Sequence, residues 1–369
     1  MNPLPSGSRA RTPAVEWKSY LPTSTVGDPM TVSGARVMDN PHRYRVLTGD
    51  RPTGHLHIGH YFGTLQNRVR LAEAGVELFV VVADYQVITD RRVGADITRT
   101  VNDLVLDYLA CGLDSAATIF THSSIAELNQ LLLPFLSLVS VAELERNPTV
   151  KSEIETMQRP VVNGLMFTYP VHQAADILSM RANLVPVGKD QLPHVEICRT
   201  IARRFNDQYS HGRPYLPVPQ ALLGDAPNVL GLDGRKMSKS LGNSISISAT
   251  PDQTRDLIRQ ARTDNDRQIT FDPDNRPTVS NLLLVAGLCQ NRTPDSIAAE
   301  IGDGGGAELK RVVAESVNEY FRPIRRRRAE LAEDNHIVRD TLAKGNETAR
   351  QVAAVTLDDV KSLMGMLYT

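Results

Sequence analysis

The sequence has few cysteines and no long apolar run, and each shortage excludes a class of protein. Its 369 residues include only Cys111, Cys198 and Cys289, which are far apart and form no Cys-x-x-Cys pair. This argues against a disulfide framework and against a cysteine zinc site. No stretch reaches the length of a membrane span, and the N-terminal residues do not resemble a secretory signal. We therefore expect a cytoplasmic, reducing location.

Excess charge of either sign is also missing. The chain has 41 basic and 42 acidic residues, a net charge of −1. This balance does not indicate a nucleic-acid-binding protein, although it is compatible with a local basic face. Only 8 of the basic residues are lysine, so each lysine is worth examining. The length suffices for two domains with cores of their own.

The order of the apolar segments predicts an α/β fold. Short apolar segments typical of buried parallel strands alternate with segments of helical period. The predicted strands are 44–47, 77–83, 118–121 and 184–187. The predicted helices between them are 61–72, 95–109, 124–138, 164–180 and 192–205. This alternation predicts a Rossmann-like, doubly wound parallel sheet.

The residues outside this alternation separate the chain into three predicted regions. Residues 1–42 are rich in Pro, Ser, Thr and Gly and contain Trp17, the only tryptophan; we predict a disordered extension. Residues 43–240 form the predicted catalytic domain, in which the polar segment 146–163 is an insertion or a subunit contact. Residues 241–369 are predicted to be helical, with a glycine-rich loop at 302–306. Their basic block, Arg322–Arg328, is more typical of a solvated helix face than of a phosphate contact.

The segment TGDRPTGHLHIGHYFG, residues 48–63, joins a predicted strand to a predicted helix. Helix N-termini present unpaired N–H groups that favour phosphate. His57 and His60 share a face of the first helical turn and could donate hydrogen bonds to charge on a phosphate. A His-x-x-His pair alone is more often structural, so the motif requires support from elsewhere in the chain.

Two other segments have the composition of ligand sites. Tyr169, Gln173 and Asp176 are spaced to line one stripe of a helix, and an aromatic, an amide and a carboxylate together are unusual for a core stripe. The alternative is a partly exposed polar face. The loop GLDGRKMSKSLGN, residues 231–243, carries Lys236 and Lys239 among serines and suits a polyphosphate. An ordinary solvated loop is the alternative.

Together these segments resemble a known family. His57-Ile-Gly-His60 and Lys236-Met-Ser-Lys-Ser240 match the two motifs of class I aminoacyl-tRNA synthetases, in the family's order. ADYQVITDR at 83–91, YPVHQAADIL at 169–178 and VPVGKDQ at 185–191 resemble the bacterial tryptophanyl members. The resemblance implies ATP-dependent activation of L-tryptophan to its adenylate and transfer to tRNA(Trp). It also implies a homodimer, a C-terminal anticodon-binding domain, and Mg²⁺ that arrives with ATP without a metal site on the protein.

The resemblance also assigns roles to individual residues. His57, His60, Lys236 and Lys239 would be catalytic. Asp176 would accept the indole N–H, and the rest of the tryptophan site would be Gly49, Tyr169, Gln173 and Gln191. The ATP site would be formed by Arg51, Pro52, Thr53, Gly59, His60, Gly188, Lys189, Asp190, Val229, Lys236, Met237, Ser238, Lys239 and Ser240.

Four positions depart from the frequent bacterial pattern, namely Arg51, His60, Gln86 and Gln173. They raise the hypothesis of an auxiliary isoform that tolerates antibiotics mimicking tryptophan. Tyrosyl-tRNA synthetases share the Tyr…Gln…Asp stripe, so a tyrosine enzyme is the first alternative. A nucleotidyltransferase that needs no tRNA shares the histidine turn, but the helical C-terminal third and the complete lysine loop argue against it. A non-catalytic tRNA-binding paralogue is less favoured, because both histidines and both lysines are present.

Overall fold

A computed structural model describes most of the chain. The described residues are 30–88, 96–114, 117–148, 150–151, 163–224, 229–238 and 241–368. The predictions for Trp17, Lys239 and Ser240, and for most of the segment 146–163, therefore lie outside the described residues.

Six parallel strands form one sheet, in the spatial order β1-β6-β5-β2-β3-β4. Chain order reverses between β5 and β2, so the sheet is doubly wound as predicted. A crevice at this reversal, at the carboxyl ends of the strands, is where open α/β sheets bind ligands. The strands are β1 Thr31–Val32, β2 Arg45–Asp50, β3 Glu77–Val82, β4 Thr118–Thr121, β5 Leu184–Val187 and β6 Gln220–Leu223.

Helices cover the sheet and form most of the C-terminal third. Those in the first part of the chain are α1 Gly34–Asp39, α2 Ile58–His60, α3 Gln66–Glu73, α4 Ile97–Ala110, α5 Ala126–Leu136, α6 Val141–Glu145, α7 Gly164–Ser179 and α8 Leu192–Tyr209. The later ones are α9 Pro251–Arg259, α10 Pro277–Gln290, α11 Pro294–Ile301, α12 Gly305–Ala332 and α13 Ile337–Leu363. None of the helices in the described ranges is long and apolar enough to cross a bilayer.

One sequence prediction about these elements is wrong, and one helix begins later than predicted. Residues 30–42 are not a disordered extension, because they form β1, which pairs with β6, and α1. The helix predicted from residue 124 begins at Ala126, since Ser124 lies in a preceding 3₁₀ turn and its hydroxyl bonds Thr121 Oγ1 at 2.8 Å. The helix predicted at 164–180 agrees within one residue with α7, which is capped by Asn163.

The last helix packs against the sheet. A Cβ at Gly345 of α13 would overlap the carbonyl oxygen of Ile119 in β4. The neighbouring Asn346 accepts a hydrogen bond from the backbone N–H of Thr121 at 2.9 Å. Thus α13 covers the edge strand β4 and satisfies a backbone donor there. The C-terminal helices therefore share a core with the sheet, across the boundary at residue 240.

Replacing Gly345 by alanine should destabilise the fold. The added methyl would overlap the backbone of Ile119, so α13 and β4 must move apart. We expect the free energy of unfolding to fall by about 1–3 kcal/mol. Chemical denaturation measures this loss. Alanine at Gly164, where a Cβ meets nothing, is the control at the exposed start of another helix. Equal stability of the two variants would contradict the contact.

Candidate active site

The predicted histidine turn follows β2 and opens a helix. His57 caps α2, and the two histidines bond reciprocally: the His60 N–H donates to His57 Nδ1 at 3.2 Å and the His57 N–H to His60 Nδ1 at 3.4 Å. Their rings stack with centroids 3.6 Å apart. Because each Nδ1 accepts a backbone proton, the neutral ring carries its own proton on Nε2. The prediction that both side chains share one face of the turn is confirmed.

A π-helical turn, Tyr61–Leu65, lies between α2 and α3. No pattern in the sequence indicates this turn, since the apolar spacing of the segment fits an ordinary helix. Such turns are frequent at functional sites.

Backbone hydrogen bonds join the histidine turn to the chain that follows the lysine loop. The N–H of Ile58 donates to the carbonyl of Ile245 at 2.9 Å, and the N–H of Ile247 donates to Leu56 at 3.0 Å. A Cβ on Gly59 would lie 3.2 Å from the sulfur of Met237. The two motifs, far apart in sequence, are therefore neighbours in space.

Asn243 holds the described part of the lysine loop. Its side-chain oxygen accepts the Ser238 N–H at 2.8 Å, while its amide donates to Asp233 at 2.8 Å and to the Lys236 carbonyl at 3.1 Å. Gly231 leaves room for this amide, because a Cβ there would overlap it. Sequence reasoning assigned no role to Asn243, although it is part of the segment singled out as a loop.

Replacing Asn243 by alanine should lower ATP–pyrophosphate exchange by about 10- to 100-fold, since roughly 1–3 kcal/mol of bonding that shapes the loop is lost. Steady-state exchange rates at varied ATP measure this effect. Alanine at Asn275, an exposed loop residue bonded to Asp272, should leave exchange unchanged. An unchanged rate in the Asn243 variant would show that the loop does not depend on this clamp.

The other predicted nucleotide residues follow the neighbouring strands β2 and β5. Arg51, Pro52 and Thr53 come directly after β2, and the Thr53 N–H bonds the Arg51 carbonyl at 2.8 Å. Gly188, Lys189 and Asp190 follow β5 and are exposed. These two segments flank the reversal of strand order. Val229 is buried beside Leu230, whose backbone is bonded by the amide of Asn281 at 2.8 and 3.1 Å.

Asp50, the last residue of β2, bonds two side chains from neighbouring helices. It accepts hydrogen bonds from Arg68 and from the Tyr108 hydroxyl, each at 2.5 Å. Burial opposes its charge, but Arg68 and the Tyr108 hydrogen bond outweigh this and lower the pKa of Asp50 to about 2. The carboxylate is therefore ionised at neutral pH and fixes the strand end that precedes the histidine turn.

The stripe on α7 is buried at both ends and half-buried at Gln173, so it is not an exposed polar face. Tyr169 and Asp176 are 8% and 2% exposed. His194 of α8 bonds Tyr169 through Nε2 and Gln173 through Nδ1, each at 3.0 Å. Burial lowers the pKa of His194 to about 4, so the ring is neutral. It donates from Nδ1 to the Gln173 oxygen and accepts the Tyr169 hydroxyl proton at Nε2. Sequence reasoning missed His194.

Asp176 lies beside two buried histidines that sequence reasoning also missed. His122 follows β4, and His172 precedes Asp176 by one helical turn on α7. The ligand atoms of these three side chains lie within 4.8 Å of one another, so they could bind a cation as well as the polar group of a substrate. Gln191, predicted to bind the amino acid, bonds Asp190 at 3.2 Å. Gly49 is explained by packing, since a Cβ there would overlap Val81 on β3.

Comparison with known proteins agrees with this geometry. A family model described as tRNA synthetases class I (W and Y) matches residues 39–322, which is more than half of the chain. The chain belongs to the class I tRNA synthetases.

Individual class I synthetases are similar over most of their length. The tryptophan–tRNA ligase of Clostridium longisporum is 39% identical over 88% of this chain and 97% of its own. That of Lactococcus lactis is 41% identical over 88% of this chain and 98% of its own. A crystal structure of tryptophanyl-tRNA synthetase from Campylobacter jejuni, complexed with ADP and tryptophan, has a TM-score of 0.75 and 29% identity, covering 87% of this chain and 99% of that one.

Proposed function

We propose that this synthetase activates L-tryptophan with ATP and transfers the tryptophanyl group to tRNA(Trp). The observation that carries the proposal is the similarity of about 40% over 88% of the chain to bacterial tryptophan–tRNA ligases. The adjoining histidine turn and lysine loop support it, because they supply the groups that an adenylate-forming reaction requires. The same similarity favours tryptophan over the tyrosine alternative.

In the first step the tryptophan carboxylate attacks the α-phosphate of ATP and pyrophosphate leaves. His57 and His60 would donate from Nε2 to the charge on the α-phosphate. Lys236 and Lys239, with Ser238, would hold the leaving pyrophosphate. No covalent enzyme intermediate is required, since positioning and charge stabilisation supply the rate.

The remaining ATP contacts follow from the strand ends. Arg51–Thr53, after β2, would contact phosphate, and Gly188–Asp190, after β5, would bind the ribose. Val229 would offer backbone to adenine, and Gly59 would allow close approach of the nucleotide. Met237 and Ser240 would complete the lysine loop. Mg²⁺ would arrive bound to the phosphates of ATP, since it commonly binds through substrate phosphates and few protein groups.

Asp176 would read the amino acid by accepting the indole N–H. Tyr169 and Gln173, fixed by His194, would border the rest of the side chain, with Gln191 and Gly49 nearby. A buried carboxylate without a donor is costly, so a substrate lacking the N–H would be disfavoured.

Other parts of the proposal concern larger partners. We propose that the enzyme is a homodimer that uses the segment 146–163 in its contact, and that the helices after residue 240 contact the anticodon. A cytoplasmic location, where tRNA is charged, completes the proposal.

Charging of tRNA tests the reaction as a whole. Purified protein with ATP, labelled tryptophan and tRNA(Trp) should yield tryptophanyl-tRNA, and omission of ATP should abolish it. Formation of the adenylate without charging would favour a nucleotidyltransferase. Binding of tRNA without either product would favour a non-catalytic paralogue.

A further inference from the structure

A buried polar cluster lies where the ends of β3 and β4 meet α7. His122, His172 and Asp176 are each at most 2% exposed. Nδ1 of His122, Nδ1 of His172 and Oδ1 of Asp176 are buried and have no hydrogen-bond partner among the described residues. Buried polar atoms are normally hydrogen-bonded, so such a group of atoms indicates a site that receives a ligand.

His122 engages one oxygen of Asp176. Its Nε2 lies 2.8 Å from Asp176 Oδ2, whereas Oδ1 of the same carboxylate remains unpartnered. One oxygen is therefore held by the protein, and the other is left to accept a single donor. Indole has one N–H and no polar acceptor, which matches this arrangement.

The backbone of His122 is itself fixed. It follows directly on Thr121, whose N–H is bonded by Asn346 of α13 and whose hydroxyl bonds Ser124. The next residue, Ser123, bonds the carboxylate of Asp84 through its hydroxyl and through its N–H at 3.1 Å. Contacts to Asn346, Ser124 and Asp84 thus fix the two residues that flank His122, so the imidazole has a fixed base from which to orient the carboxylate.

We propose that His122 is a positioning residue for amino-acid specificity, holding Asp176 so that Oδ1 accepts the indole N–H. This inference rests on the proposed function and adds a residue from another strand end to the amino-acid site.

The electrostatics agree with this role. Burial alone would lower the pKa of His122, but the charge and hydrogen bond of Asp176 outweigh it and the net pKa is raised. Burial lowers the pKa of His172, which favours its neutral form. Asp176 therefore has one histidine partner whose charged form is favoured, and a buried carboxylate is less costly beside such a partner than alone.

The test compares tryptophan with its isostere in which sulfur replaces the indole N–H, benzothienylalanine. ATP–pyrophosphate exchange gives kcat/KM for each substrate in the wild type, His122→Ala and His122→Gln. A site built around a substrate N–H rejects the analogue by about 10⁴-fold or more.

In His122→Ala, kcat/KM for tryptophan should fall about 10- to 100-fold, mainly through KM, because the carboxylate is no longer oriented. The kcat/KM for the analogue should stay nearly the same. The ratio of the two kcat/KM values should therefore fall by about the same 10- to 100-fold. His122→Gln should recover part of the loss, since its amide N–H can donate to Asp176. The unfolding temperature of each variant is measured alongside its kinetics.

Leu131→Ala is the control for lost stability. Leu131 is fully buried on α5, outside the amino-acid site, so its replacement should lower the unfolding temperature and leave discrimination unchanged. If His122→Ala lowers kcat/KM equally for both substrates, or lowers neither, the positioning role is overturned while the proposed function stands. Absence of tryptophan-dependent exchange in the wild type would overturn both.

Discussion

Replacing Lys236 by alanine should lower tryptophan-dependent ATP–pyrophosphate exchange by two to three orders of magnitude. The side chain is exposed in the middle of the lysine loop, next to Met237, which lies against the histidine turn. Its ammonium group would offset charge on the leaving pyrophosphate. Loss of one such electrostatic group costs roughly 10²–10³ in rate. The effect should fall on kcat more than on the KM for tryptophan.

The exposure of Lys236 makes this result easy to interpret, because truncation of an exposed side chain leaves the core intact. Lys344→Ala, at an exposed position on α13, is the matched control and should retain wild-type exchange. Lys239→Ala should lose activity to a similar extent. A rate within a few-fold of wild type in both loop variants would remove the lysines from the mechanism.

Replacing Arg328 by alanine should destabilise the protein by about 3 kcal/mol or more, since it leaves a buried carboxylate unpaired. Arg328 bonds Asp107 at 2.7 Å and Asp103 at 2.9 Å. The Asp107 side chain is fully buried, and it also accepts the N–H of Leu56 at 2.9 Å. Arg328 therefore supports the chain directly before His57 from the distant helix α12.

Arg326→Ala is the control from the same basic block. Its side chain is 82% exposed and pairs with Glu330, so its loss should change stability by no more than about 1 kcal/mol. Urea denaturation of both variants measures the difference. Similar stabilities would contradict an internal role for Arg328.

This block shows a limit of reading charge from sequence. Four consecutive arginines on a helix were interpreted as a solvated face, and Arg326 conforms to that. Arg325 and Arg328 do not, since Arg325 bonds the carbonyl of Ile247 at 3.1 Å, and Arg328 bonds buried Asp107. The acceptors lie up to 221 positions away in the chain, so no local pattern could indicate them.

The main strands could be predicted because burial on both faces makes them apolar throughout. The bounds of β4 and β5 agree with prediction, and β3 differs at one end. The strand β1 was missed because it has only two residues, and composition carries little information about so short a segment. The strand β6 was missed because it directly follows a segment rich in proline, 214–219, which is typical of a loop.

The candidate site divides in the same way. His57, His60, Lys236 and Asp176 could be proposed from residue chemistry and spacing, because each belongs to a local motif. His122, His194 and Asn243 could not, since each acts on a motif residue through a side-chain contact. The partner of His122 is 54 positions away in the chain, and the two partners of His194 are 25 and 21 positions away. The sequence thus indicates the candidate groups of the site, and the fold indicates which side chains hold them.

Amino-acid-dependent ATP–pyrophosphate exchange by the purified full-length chain tests the central claim most directly. With saturating ATP, tryptophan should support exchange at micromolar to millimolar concentrations, and tyrosine should support less than about one-thousandth of that kcat/KM, because a site built to bond the indole N–H discriminates strongly. Exchange with tyrosine equal to or greater than exchange with tryptophan would contradict the account.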